Sequence, residues 1–101
     1  MNCHGAGCAE EADRLVPSTP YEVESMHELA MSQINPLCRA HAAVEEDKYV
    51  RAASRMLIMD LQNGRRADVQ DVAAVGGQLQ DFRSDAGQTT WALIASYYGV
   101  E

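Results

Sequence analysis

The sequence predicts an all-α fold: a small bundle of three to four helices preceded by an irregular N-terminal tail that a zinc ion could pin. Three observations carry this. Apolar residues recur at spacings of three and four through most of the chain after residue 18, the period of an amphipathic helix. Helix-capping residues stand at the ends of those runs. No segment shows a convincing strand pattern, and no internal repeat is visible. A chain of 101 residues fits one domain, divided here into a tail over 1–18 and a helical bundle over 19–101.

The tail contains two glycines in its first seven residues and ends on the breaker cluster Val16-Pro17-Ser18-Thr19-Pro20. The first helix is expected to start at Thr19, with Pro20 in its first turn and Glu22 completing a capping box. Val23, Met26, Ala30 and Ile34 would share its inner face. Asn35-Pro36 ends it, because proline disfavours helical geometry in the preceding residue. A second helix is expected from Pro36, capped by Asn35, to about Asn63, where Asn63-Gly64 is a strong stop. Its apolar stripe is Leu37, Val44, Val50, Ala53, Leu57 and Leu61, with Tyr49, Met56 and Ile58 beside it, and Asp47 and Arg51 stand in the favourable i, i+4 order. Asp68 caps a third helix that points Val69, Val72, Val75, Leu79 and Phe82 inward. Gly76-Gly77 weakens it by about 1 kcal/mol per glycine, or else permits close helix contact. Ser84–Gly87 reads as a turn, and a last helix over Gln88–Tyr98, bearing Trp91, Leu93, Ile94, Tyr97 and Tyr98, ends at Gly99 with Val100 as its apolar contact.

The net charge of −7 argues against a general nucleic-acid binder, which carries a basic footprint. The charge is uneven. One Arg against six acids gives −5 over residues 1–35, six basic residues against four acids give +2 over 36–66, and one Arg against five acids gives −4 over 67–101. Only Lys48 among the eight basic residues is a lysine, which suggests a GC-rich bacterial or phage genome. No apolar run approaches the ~20 residues of a membrane helix. Met1–Pro17 has neither the basic nor the apolar region of a secretory signal, so the expected location is cytoplasmic.

The most specific constellation is metal-like. Cys3 and Cys8 form a C-x4-C pair in the tail, and Cys38 and His41 form a C-x2-H pair in the first turn of the second helix. Residues three apart there share a face. Three thiolates and an imidazole are the donors of a closed, structural zinc site, so one structural zinc ion is the expected cofactor. His4 and His27 are substitute ligands. Two other readings stay open at this point: three incidental cysteines in a reducing compartment, with Cys38 in the core, and a disulfide or redox role.

No enzymatic activity is expected. The zincin-like start His27-Glu28-Leu29-Ala30 is followed by Met31, not the second histidine that H-E-x-x-H requires. Cys38 and His41 are the only local thiol–imidazole pair. There is no phosphate-binding loop, nucleophile elbow or dinucleotide fingerprint, and Gly5-x-Gly7 is too short for one.

The expected function is a small acidic binding protein. It would dock on a larger protein with a basic, nucleic-acid-handling surface and inhibit or regulate it by occlusion, in the manner of a phage or mobile-element anti-CRISPR inhibitor. Two charge features are the candidate partner-binding residues: Glu22, Glu24 and Glu28, and the basic stripe Lys48, Arg51 and Arg55. Each also has a plain reading as a solvated or internally paired face. The alternatives are a DNA-associated transcriptional regulator using the basic stripe and the third helix, and a zinc-stapled structural subunit.

Overall fold

In the computed structural model, residues 1–19 and 22–100 are described. The elements run β1 (Arg14–Ser18), α1 (Met26–Ala30), β2 (Gln33–Leu37), α2 (Arg39–Asn63), α3 (Val69–Asp81) and α4 (Asp85–Tyr98). The broad expectation of a helical domain holds, and a small sheet is added to it.

β1 and β2 pair antiparallel in a two-stranded sheet, with Arg14 opposite Leu37 and Ser18 opposite Gln33. This corrects two expectations: part of the segment read as irregular tail is a strand, and Ile34 lies in a strand and not on a helix face. Each strand has five residues and each contains a proline, Pro17 and Pro36. A two-stranded sheet tolerates both, because every strand in it has a free edge where the missing N–H costs no ladder bond.

The helix expected from Thr19 shrinks to the five residues of α1. Its start is set by Ser25, whose Oγ accepts the Glu28 N–H, while the Glu28 carboxylate accepts the Glu24 N–H at 3.0 Å. Ser25-x-x-Glu28 thus does the capping that Thr19-x-x-Glu22 was expected to do. Pro20, the expected first-turn proline, lies outside the described residues.

α2 begins three residues later than expected. Pro36 is in β2, and Cys38, not Asn35, is the N-cap, its Sγ accepting the His41 N–H. Twenty-five residues make a rod of about 38 Å, which spans most of the longest dimension of 44 Å. Its stop at Gly64, in the left-handed region at φ 68°, is the expected one. The stripe differs: Val44, Ile58 and Leu61 are exposed, whereas Ala42, Glu46, Tyr49, Val50, Ala52, Ala53, Met56 and Leu57 are buried. One end of α2 lies against the hairpin and the rest against α1 and α4, so no single stripe describes it.

Asp68 caps α3 through the Gln70 N–H, and Val72, Val75 and Leu79 are buried as expected, although Val69 is exposed. α4 starts at Asp85, so the expected turn is its first turn, and Leu93 faces solvent. Gly76 and Gly87 set the α3–α4 approach. A β-carbon on Gly76 would overlap the Trp91 ring, and one on Gly87 would overlap the Leu79 carbonyl. Gly99 ends α4 with φ 71°, and Val100 packs on the core.

Two separate clusters form the interior. The larger joins Leu29, Tyr49, Met56, Val72, Leu79 and Ile94 from all four helices. The smaller holds Cys3, Val16, Leu37, Cys38 and Ala42, under the hairpin and beside Cys8. Among the described residues, no helix is long and apolar enough to cross a membrane.

Candidate metal centre

The first thirteen residues fold back on themselves and onto β2. Cys3 N–H donates to the Glu10 carbonyl at 2.9 Å and Ala12 N–H to the Met1 carbonyl at 2.8 Å, closing a narrow loop. At its tip the Cys8 N–H donates to the Gly5 carbonyl at 3.0 Å, with Gly7 at φ 71°, the positive-φ position of a type II turn. His4 N–H donates to the Pro36 carbonyl and Asp13 N–H to the Leu37 carbonyl, which fix both arms of the loop beside the end of β2. The chain then turns directly into α2. The hairpin therefore delivers the loop thiols of Cys3 and Cys8 to the same place as the first turn of α2, which carries Cys38 and His41.

The ligand atoms of Cys3, Cys8, Cys38 and His41 all lie within 4.8 Å of one another. The four residues expected from spacing alone are the four brought together, and they could hold a metal ion. His41 Nδ1 is 3.3 Å from Cys3 Sγ and 3.3 Å from Cys38 Sγ, and Cys8 Sγ is 3.9 Å from Cys38 Sγ. Tetrahedral bonds of about 2.3 Å to sulfur and about 2.0 Å to nitrogen require S···S edges of about 3.8 Å and S···N edges of about 3.5 Å. These three edges are close to both values, the others lie within 4.8 Å, and Nδ1 is the ring nitrogen that faces the Cys3 and Cys38 sulfurs. The substitute ligands lie elsewhere: His4 is exposed, and His27 Nδ1 meets Asp71 Oδ1 at 3.1 Å.

The surroundings favour thiolate at Cys3. Burial alone would push that thiol up, but backbone and imidazole hydrogen bonds, from Cys38, His41 and Gly5, outweigh it and hold the value at about 6. For Cys8, the backbone at Glu10 lowers the thiol, yet burial and the neighbouring sulfurs prevail and raise it. A thiolate formed first at Cys3 thus makes the second deprotonation harder, a repulsion that a bound cation removes. Cys3 and Cys38 are buried and Cys8 is half-buried.

Two contributors were not evident from spacing. Gly5 underlies the imidazole, for a β-carbon there would overlap His41 Nδ1. Behind the centre, Arg14 of β1 forks onto Glu46 of α2, Nε to Oε2 at 3.1 Å and Nη2 to Oε1 at 3.2 Å. Asp13 meets Arg14 at 2.6 Å and Arg83 at 2.9 Å, so this network ties the loop to α2 and to the connection between α3 and α4. A basic residue in a strand and an acid on a helix carry no sequence mark of their pairing.

The charged residues expected to meet a partner are distributed differently. Glu22, Glu24 and Glu28 are exposed on and before α1, but Glu28 is engaged as the α1 cap. Lys48, Arg51 and Arg55 are exposed along α2, with Lys48 paired to Glu45 at 3.3 Å and Arg51 to Asp47 at 2.9 Å. Among the described residues, none of them makes a hydrogen bond or ion pair with the cysteine cluster. In comparisons with family models, curated proteins and solved structures, nothing matches this chain.

Proposed function

We propose that this chain is a non-enzymatic binding module whose N-terminal lobe is folded around one structural zinc ion held by Cys3, Cys8, Cys38 and His41. The observation that carries this reading is the convergence of three sulfurs and one imidazole nitrogen within 4.8 Å. Soft thiolates with imidazole suit zinc, and four protein donors fill its tetrahedron and leave no position for a substrate or an activated water. Cys38 and His41 accordingly serve as ligands and not as a nucleophile–base pair, since two further thiols compete for the same imidazole.

The energetics support a structural role. Burial of Val16 and Leu37 contributes about 2 kcal/mol each. Ordering the thirteen residues before β1 costs at least ~1 kcal/mol per residue. A structural zinc ion supplies ~10 kcal/mol or more, which together with that apolar burial is comparable to the cost. The test is elemental analysis of protein purified without chelator, which should find one zinc per chain. Metal-free protein that takes up no zinc on titration would overturn the reading.

The surface of this module is acidic, with a net charge of −7, and Glu22 and Glu24 are exposed near α1. It would suit a partner protein with an Arg- or Lys-rich face, acting by occlusion of that face. The substitutions Glu22→Gln, Glu24→Gln and Glu28→Gln together should weaken retention on an immobilised arginine-rich peptide at physiological salt. Unchanged retention would reject the acidic face as the docking surface.

A further inference from the structure

We propose that the zinc centre is also a redox switch, opened by a hydroperoxide through formation of a Cys8–Cys38 disulfide; this rests on the zinc reading above. The four ligands differ in their access to solvent. Cys3 and Cys38 are buried, whereas Cys8 is half-buried at the tip of a turn. The adjacent Gly7 has nothing within 4 Å of the place its β-carbon would occupy, so the tip is open on that side. Cys8 is the sulfur that an oxidant in solution reaches first, and exposure directs thiolate oxidation.

The partner for the second step is set by distance. Cys8 Sγ lies 3.9 Å from Cys38 Sγ, so a bond of about 2.05 Å needs a closure of under about 2 Å. The turn that carries Cys8 is flanked by Gly5 and Gly7, which lets it move. Cys3 and Cys38 both lie 3.3 Å from His41 Nδ1, and each accepts a backbone N–H, so the choice of Cys38 rests on its 3.9 Å approach to Cys8. Cys38, as N-cap of α2, holds its sulfur at a fixed place facing that turn.

The chemistry balances. The Cys8 thiolate attacks the peroxide oxygen, the O–O bond breaks, and the Cys8 sulfur becomes a sulfenic acid as an alcohol, or water from hydrogen peroxide, departs with a solvent proton. The Cys38 thiolate then attacks that sulfur. The S–S bond forms, and hydroxide leaves and is protonated to water. Two thiolates are oxidised by two electrons and one hydroperoxide is reduced. Cys3 and His41 remain as two ligands, too few to hold zinc as a closed site. The new bond keeps the loop tethered to α2, so the oxidised lobe loosens without detaching.

The test uses the full chain with its zinc content measured beforehand. Hydrogen peroxide is added in small molar excess, zinc release is followed with a chromogenic chelator, and disulfides are mapped by peptide mass spectrometry. The expected result is one zinc released per disulfide, with the tryptic peptide ending at Arg14 joined to the one ending at Arg39 and fragmentation assigning Cys8 and Cys38. Dithiothreitol with added zinc should restore the starting state. Retention of zinc under peroxide that fully oxidises free cysteine would overturn the switch and leave the zinc reading intact. So would release with the bridge at Cys3 or between two chains. Absence of zinc before peroxide is added would overturn both.

Discussion

The imidazole of His41 occupies the space that a β-carbon on Gly5 would need. The loop that carries Cys3 and Cys8 can therefore lie flat against the first turn of α2 only because residue 5 has no side chain. Gly5→Ala should displace either the ring or the loop and reduce zinc affinity on the order of 10–100-fold, the usual cost of disturbing a residue that orients a ligand. Competition with a chromogenic zinc chelator measures this. Unchanged affinity would mean that the loop adapts freely around His41.

Arg14 and Glu46 form the main ionic link between the hairpin and α2. The Glu46 side chain is 5% exposed and that of Arg14 16%. Removing one member of a buried pair strands the other charge. Glu46→Ala should thus lower unfolding stability by about 3 kcal/mol, read from denaturant melts at constant slope. A loss below about 1 kcal/mol, the range of surface pairs, would show that water and its existing bond to Asp13 satisfy Arg14 without Glu46.

Asp13 links stability to pH. The hydrogen bond from Arg14, with the charges of Arg83 and Arg39, holds its carboxyl below the ordinary value in spite of some burial. A carboxyl depressed in the folded state contributes stability that is fully present above its unfolded pKa of about 3.9 and is lost as pH falls through the lowered folded value. Asp13→Asn should remove that part of the acid sensitivity and leave the pH dependence of stability flatter below about pH 4. Melting temperatures of both proteins across that range provide the check, and parallel curves would reject the assignment.

Two adjacent glycines in α3 should respond in opposite directions. Gly77 is exposed with nothing near its missing β-carbon, whereas Gly76 lies under the Trp91 ring. Gly77→Ala should stabilise the protein by up to about 1 kcal/mol through helix propensity. Gly76→Ala should destabilise it by about 1–3 kcal/mol, because the α3–α4 contact is overpacked. Thermal melts with tryptophan fluorescence distinguish the two. Equal effects would contradict the close packing of α3 on α4.

Much of this arrangement is visible in the residues themselves. Asn63-Gly64, Asp68 and Gly99 mark helix ends through local backbone chemistry, and each does so in the structure. The clustering of Cys3, Cys8, Cys38 and His41 is also legible, because two thiols in a short loop and a thiol–imidazole pair three apart on a helix are few enough to be matched. The hairpin is not legible. Its strands are five residues each, both contain proline, and fourteen residues that include α1 separate them. The contacts that hold them in place, the N-terminal loop beside β2 and Arg14 with Glu46, are long-range. The start of α1 was obscured by two competing capping sequences, Thr19-x-x-Glu22 and Ser25-x-x-Glu28, of which only tertiary packing selects the second. On α2 the buried face changes along the helix as its neighbours change, so a single hydrophobic period misplaced Val44, Ile58 and Leu61.

A metal ion bound by Cys3, Cys8, Cys38 and His41 would hold the N-terminal lobe, while the four helices keep a core of their own. Amide hydrogen exchange, followed by mass spectrometry with and without EDTA, tests it most directly. Chelation should abolish protection in residues 1–18 and 33–38, whereas α3, α4 and the distal half of α2 should stay protected. Identical exchange in both regions with and without EDTA would contradict it.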